Sequence, residues 1–170
     1  GLEPPEDAGG ILAGVEGVHL SGYALLGGSR AAALAIARAA REREIRVTLD
    51  LCLPLVEGLR EETLGLLPLF SVVFGNAREV SLLAGGDVEA GVRAISARGV
   101  GVAVAKTGEK GCVVATGESV RAVAAYPVDV VDTTGCGDAF VAGFLHARAR
   151  GAELEASGAL GNALGALAAT

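Results

Sequence analysis

VDTTGCGDAFVAGF, residues 131–144, is the stretch whose reading decides the fold of this chain. An apolar run ends at Val131. Asp132, Thr133 and Thr134 follow, then the turn Gly135-Cys136-Gly137, and Asp138 opens a helical pattern. The first amides of a helix have no internal acceptors, and the macrodipole places partial positive charge around them. Glycines on either side let a ligand oxygen approach the backbone closely. The stretch therefore predicts a strand, an anion-binding turn and a helix in succession. Asp138 is the anomaly, a carboxylate at a site built for anions. Beside a bound phosphate it would accept the proton of an attacking hydroxyl. Taken without context, Asp132 and Asp138 read equally well as turn and cap residues.

The helix that follows is well specified. Phe140, Phe144 and Ala147 recur at i, i+4 and i+7 and predict a core stripe. Arg148 and Arg150 suit its C-terminal end, and Gly151 suits its stop. Upstream, residues 1–10 are rich in Pro, Gly and acids and predict a loop. Strands are expected at 15–21, 46–51 and 71–74, then at 100–106, 111–116 and 119–125, with a shorter one near 128–131. Helices are expected at 30–43, capped by Ser29, at 57–67, stopped by Pro68, and at 77–84, 88–98, 136–149 and 153–168; Pro54 is expected to break the chain. Strands alternating with helices predict a parallel sheet covered on both faces, and the run of strands from 100 to 131 predicts an antiparallel hairpin at its edge.

Composition sets the outer bounds. The 170 residues suit one domain, and 51 % are hydrophobic, enough for a sizeable core. A net charge of −6 and the lack of a basic stripe argue against a nucleic-acid partner, as does an aromatic content of 4 %. Arg38, Arg41, Arg43 and Arg46 are interrupted by Glu42 and Glu44, as expected of a solvated helix end. No apolar run reaches the ~18–20 residues of a membrane span, so no membrane partner is expected. Three widely spaced cysteines, Cys52, Cys112 and Cys136, form no metal or disulfide pattern and point to a reducing, cytoplasmic setting. A P-loop motif and a dinucleotide-binding G-x-G-x-x-G are both missing.

Four further segments carry chemistry. Lys106-Thr107-Gly108-Glu109-Lys110-Gly111 reads as strand, turn and strand; it is an ordinary hairpin turn or a glycine turn facing a ligand, with Lys106 a better phosphate partner than the solvated Lys110. Asn76 and Glu79 form N-x-x-E at a helix start, which is a capping box and also a suitable water-mediated Mg²⁺ contact. Asn162 lies on the last helix with Gly158 and Gly165, at i−4 and i+3, on a face different from the apolar Ala156, Leu160, Ala163, Leu164 and Leu167; Gly161 is a third glycine of that helix. Close backbone packing or a ligand wall would each explain those glycines. Asp50 ends a strand at the expected ligand edge of the sheet.

DTTGCGDAF resembles the second signature of the ribokinase, or PfkB, family of carbohydrate kinases, Asp-Thr-x-Gly-Ala-Gly-Asp-x-Phe, with Cys136 for the commonest Ala. The resemblance implies a ribokinase-like α/β fold, a largely parallel sheet flanked by helices with an antiparallel edge hairpin. It implies ATP-dependent phosphoryl transfer to a hydroxymethyl group of a sugar or nucleoside. Asp138 would be the catalytic base, and the amides of Gly135, Cys136, Gly137 and Asp138 the anion hole. Lys106, Thr107, Gly108 and Gly111 would contact the nucleotide, as would Asn76, and Asn162 would border the adenine. Glu79 would act on Mg²⁺ through water, and Asp132 and Thr134 on a monovalent cation such as K⁺. Asp50 matches a family Asp, but the Asn-x-Arg that usually follows is replaced by Leu51-Cys52-Leu53, which leaves its role open.

The resemblance covers residues 1–170 as the C-terminal, nucleotide-binding part of such a kinase domain, without the substrate- and lid-bearing half. The start at Gly1, the lack of any Met and the stop at Thr170 within a helical pattern are expected of a cut chain. An incomplete domain would expose a sheet edge and an apolar face and would associate. In the family the lid often forms a homodimer contact. The alternative to an active kinase is a truncated, non-catalytic nucleotide-binding remnant or an interaction module.

Overall fold

The computed structural model describes residues 2–170. Six strands form one sheet in chain order: β1 (Gly17–Ser21), β2 (Arg46–Asp50), β3 (Val72–Asn76), β4 (Val102–Lys106), β5 (Cys112–Thr116) and β6 (Ser119–Val123). β1 to β4 pair in parallel, and β5 and β6 are added antiparallel, as the strand spacing predicts. The helices are α1 (Ala8–Ile11), α2 (Arg30–Glu42), α3 (Leu53–Gly58), α4 (Arg60–Leu66), α5 (Ala77–Ala84), α6 (Val88–Ser96), α7 (Cys136–Ala149) and α8 (Leu154–Ala168).

The strand period of two sorts side chains between two cores. Val47, Leu49, Val73, Ala103 and Ala105 face one way, into the larger core with Leu55, Leu67, Leu83 and Ile95 from the helices that precede β4. Val72, Phe74, Val104 and Val114 face the other way and meet Phe140, Val141 and Phe144 of α7. Phe74 and Phe144 pack edge to face with centroids 5.2 Å apart, a favoured aromatic geometry. The stripe expected on α7 is thus the one that seals this second core.

α7 and α8 make the most extensive helix contact in the chain. A Cβ placed on Gly161 would fall 2.9–3.0 Å from the Phe140 ring and 3.0 Å from its carbonyl; one on Gly143 would fall 2.9 Å from the Leu160 carbonyl. The glycines serve backbone-to-backbone packing. This overturns the expected apolar face of α8. Ser157, Gly158, Gly161 and Asn162 are buried, while Ala156 and Leu167 are exposed. Small side chains, not large ones, bring α8 close to the sheet and to α7.

Other local expectations also change. The segment expected as one helix over 57–67 divides into α3 and α4 at Leu59, whose φ of −132° is not helical. Pro54 does not break the chain; it sits in the first turn of α3, where its missing N–H has no role. Ser29 precedes α2 without capping it, because its hydroxyl turns back to the Ala24 and Leu26 carbonyls, 3.1 Å from each. Within the expected N-terminal loop, α1 forms under an Asp7 side-chain cap; Gly1 lies outside the described residues. No strand forms near 128–131. Asn162 Nδ2 takes the Val123 and Ala124 carbonyls, each at 3.0 Å, and pairing stops there.

β1 has no neighbour on its outer side among the described residues. The pairing register puts His19, Thr48 and Asp50 on the face that carries Val72 and Phe74. That end of the face is polar, with Gly17, His19, Ser21 and Arg46 exposed and His19 Nδ1 2.9 Å from Thr48 Oγ1. The open edge is therefore present, but the apolar face expected with it is not.

Gly161→Ala is expected to lower stability by about 1–3 kcal/mol through overpacking, whereas Gly65→Ala, at an open position of α4, is expected to raise it by about 0.5–1 kcal/mol. Thermal melts of the two variants check the pair.

Candidate active site

Because β1 to β4 run in parallel, their C-terminal ends share one edge of the sheet, and helix α7 begins above it. A cavity of about 1080 Å³ opens there, lined among others by Tyr23, Asp50, Asn76, Glu79, Lys106, Asp138 and Asn162. Its floor comes from the strand ends, one wall from the first turn of α7, and the far wall from Gly108–Gly111, the loop after β6 and α8.

The turn before α7 leaves backbone amides exposed at the head of the helix. Gly135 sits at φ 80°, a left-handed position that glycine adopts without penalty. Among the described residues, no protein oxygen accepts from the amides of Gly135, Gly137 or Asp138. The Cys136 amide is different. It donates to the Thr133 carbonyl at 3.2 Å, so three of the four expected amides are free and the fourth closes the turn. The Asp138 side chain is exposed, lines the cavity and has no hydrogen-bond partner among the described residues.

Lys106 ends β4 and Asp50 ends β2. The Lys106 ammonium donates to both carboxylate oxygens of Asp50, at 2.8 and 2.7 Å, across the end of β3. Both side chains are largely buried, at 16 % and 14 % exposure. The same ammonium lies against the start of α7, 3.3 Å from where a Cβ on Gly137 would stand. Lys106, expected to reach for phosphate, is thus already paired, and Asp50 is part of the site. Their complementary charges at two strand ends were the available signal, but the residues are 56 apart in sequence, and nothing local links them.

Asn76 and Glu79 form the full capping box. Glu79 N–H donates to Asn76 Oδ1 at 2.9 Å, and Asn76 N–H donates to Glu79 Oε2 at 2.8 Å. Both residues line the cavity. Glu79 is buried, and burial pushes its carboxyl above the ordinary glutamate range, against the hydrogen bond from Asn76 and the charge of Lys106. The glycine turn after β4 is closed by Thr107, whose N–H and hydroxyl donate to the Gly111 carbonyl at 2.8 and 2.9 Å. Thr107 does not line the cavity; Gly108 and Gly111 do. Gly111 is at φ 94°, and any side chain there would collide with the backbone of 123–125. Asn162 is buried, and its amide holds that same backbone while facing the cavity.

Asp132 and Thr134 do not reach the cavity. The Thr134 amide and hydroxyl both donate to Asp132 Oδ1 at 2.8 Å, which holds the carboxyl below its ordinary value. Asp50 stands at the ligand edge expected of it, while two other cavity features escaped the sequence reading. Tyr23 stands exposed beyond the end of β1, and residues 125–128 with Val130 form a wall. Pro127 in an apolar run without a regular period was the only hint of the latter. His146 is on the surface, and Cys112 is buried with its thiol pushed up to about 12 by desolvation.

The sequence matches the family described as pfkB family carbohydrate kinase over residues 6–170. The chain belongs to the PfkB family. An uncharacterized sugar kinase of Archaeoglobus fulgidus is 34 % identical over 92 residues, 54 % of this chain and 37 % of its own. The structure of adenosine kinase from Sinorhizobium meliloti superimposes with a TM-score of 0.87 at 30 % identity, covering 96 % of this chain and 52 % of that one. Aminoimidazole riboside kinase from Salmonella enterica, complexed with aminoimidazole riboside and an ATP analog, gives 0.80 at 29 % identity, covering 89 % and 55 %. The chain spans about half the length of these two solved PfkB-type relatives. No helix of the described residues is long and apolar enough to cross a membrane.

Glu79→Gln keeps both capping bonds and removes the buried charge. A carboxyl whose folded pKa is raised contributes stability that is present below its ordinary value of 4.5 and lost as pH rises through the folded value. The variant should therefore melt at or above the wild-type temperature at pH 7, with a flatter profile from pH 4 to 8, as thermal melts across that range will show.

Proposed function

We propose that this chain carries the nucleotide-binding and catalytic-base part of a kinase that transfers the γ-phosphoryl group of ATP to a hydroxymethyl group of a sugar or nucleoside. One observation carries the proposal: an unpaired carboxylate, Asp138, stands beside three unpaired amides at the start of α7, in a cavity wide enough for a nucleotide and an acceptor.

The amides of Gly135, Gly137 and Asp138 donate to the transferring phosphoryl oxygens, where charge accumulates as the bond to the leaving oxygen breaks. Asp138 takes the proton of the acceptor hydroxyl as its oxygen attacks phosphorus. Lys106 adds positive charge beside the turn. The turn 108–111 and Asn162 flank the nucleotide end, and Tyr23 stands at the acceptor end.

Mg²⁺ keeps most of its waters and needs only one or two carboxylates with the substrate phosphates. One carboxylate, that of Glu79, faces the cavity beside Asn76 and supports that demand. Glu79 would hold it through water, and when bound it offsets the phosphate charge. K⁺ belongs to the same proposal, with the second Asp132 oxygen and the Thr134 carbonyl as its contacts. The family resemblance supports a cytoplasmic enzyme and leaves the acceptor to experiment.

A coupled ADP-release assay against sugars and nucleosides is expected to find turnover, and Asp138→Asn to lower kcat by about 10²–10⁴-fold with ATP binding retained in calorimetry. Near-normal turnover in that variant would refute the role of Asp138. ATP binding without turnover on any acceptor would favour the non-catalytic alternative.

A further inference from the structure

Lys106 and the first turn of α7 present two positive features to each other. The ammonium lies against Gly137, and the free amides of Gly137 and Asp138 belong to the same turn. An arrangement of that kind is repulsive unless a negative group balances it. Asp50 is the group the fold provides. It takes two of the three ammonium protons in a two-pronged contact, and one donor remains for a ligand. The three residues come from three separate elements, the ends of β2 and β4 and the start of α7, so the contact is set by the sheet and not by a loop.

We infer that Asp50 is a positioning residue for nucleotide binding, which holds the Lys106 ammonium beside the anion hole so that its third proton meets the terminal phosphate. The inference rests on the proposed nucleotide site and goes beyond it in assigning a role to Asp50. A lysine side chain has four rotatable bonds and about 2 kcal/mol of rotamer entropy. Asp50 has already restricted them before the ligand arrives. Its carboxylate would otherwise be an odd neighbour for a triphosphate, since like charges repel. That repulsion gives the competing account a distinct signature: an Asp50 acting directly on phosphate would weaken binding, and its removal would tighten it.

A double-mutant cycle on the whole chain separates the two. Binding of ATP–Mg²⁺ and ADP–Mg²⁺ is measured by calorimetry for wild type, Asp50→Asn, Lys106→Met and the double variant, with circular dichroism to confirm the fold. Asp50→Asn is expected to weaken ATP by about tenfold, the scale of a charge-assisted hydrogen bond, and ADP by less. In the Lys106→Met background the same change should have no further effect, because Asp50 acts only through Lys106. Asp50→Glu should restore ATP binding to within about threefold of wild type, since it keeps the charge that pairs with the ammonium. If Asp50→Asn does not fold, Asp50→Glu is compared with Lys106→Met, and a Glu variant as weak as the Met variant overturns the inference. Unchanged or tighter ATP binding in folded Asp50→Asn overturns it too, as does an effect that persists without Lys106. Wild type that binds neither nucleotide overturns the nucleotide site itself, and the role of Asp50 with it.

Discussion

Parallel pairing of β1 to β4 is the constraint on which the rest depends. Strands that run the same way must all end on the same side, so Asp50, Asn76 and Lys106 arrive at one edge from segments far apart in sequence. An antiparallel sheet of the same residues would scatter them to opposite ends. The Phe74–Phe144 contact then fixes α7 over that edge, with its free amides next to the strand ends. The site is a consequence of strand direction and one aromatic contact, and only afterwards of the chemistry of its side chains.

Charge in the cavity is arranged in opposition. Asp50, Glu79 and Asp138 are acidic, Lys106 and the start of α7 supply the positive side, and Glu109 and Lys110 add one charge of each sign at the turn after β4. Each carboxylate has a different environment. Asp50 is tied to Lys106, Glu79 is buried within a capping box, and Asp138 is exposed and unpaired. Residues of one chemical type thereby meet separate surroundings: one is tied to an ammonium, one has its carboxyl pushed above the ordinary range by burial, and one faces the cavity unpaired.

Much of this was legible in the sequence where the signal is local. The turn at 135–137, the helix of 77–84 with its Asn76–Glu79 cap and the strand order of a mostly parallel sheet all follow from short-range rules of capping, period and glycine placement. What was not legible depends on distant partners. The Asp50–Lys106 pair joins β2 to β4 across β3. The buried face of α8 defied its pattern of large apolar residues, because close backbone approach to α7 favours small ones. No strand forms at 128–131, where the Val131 amide donates to the Ala169 carbonyl beyond α8 and not to a neighbouring strand. The engagement of the Cys136 amide by Thr133 is a detail of turn closure that a motif does not encode.

The glycine contact between α7 and α8 has a mechanical outcome. Gly143 and Gly161 interlock so closely that neither helix can slide or roll past the other without a steric clash. One carries the turn at 135–138 at its head, and the other carries Asn162. The turn and Asn162 are therefore held in one fixed relation, and the irregular strap from Ala124 to Val131 is pinned to the same unit at both ends, by Asn162 and by the Ala169 carbonyl.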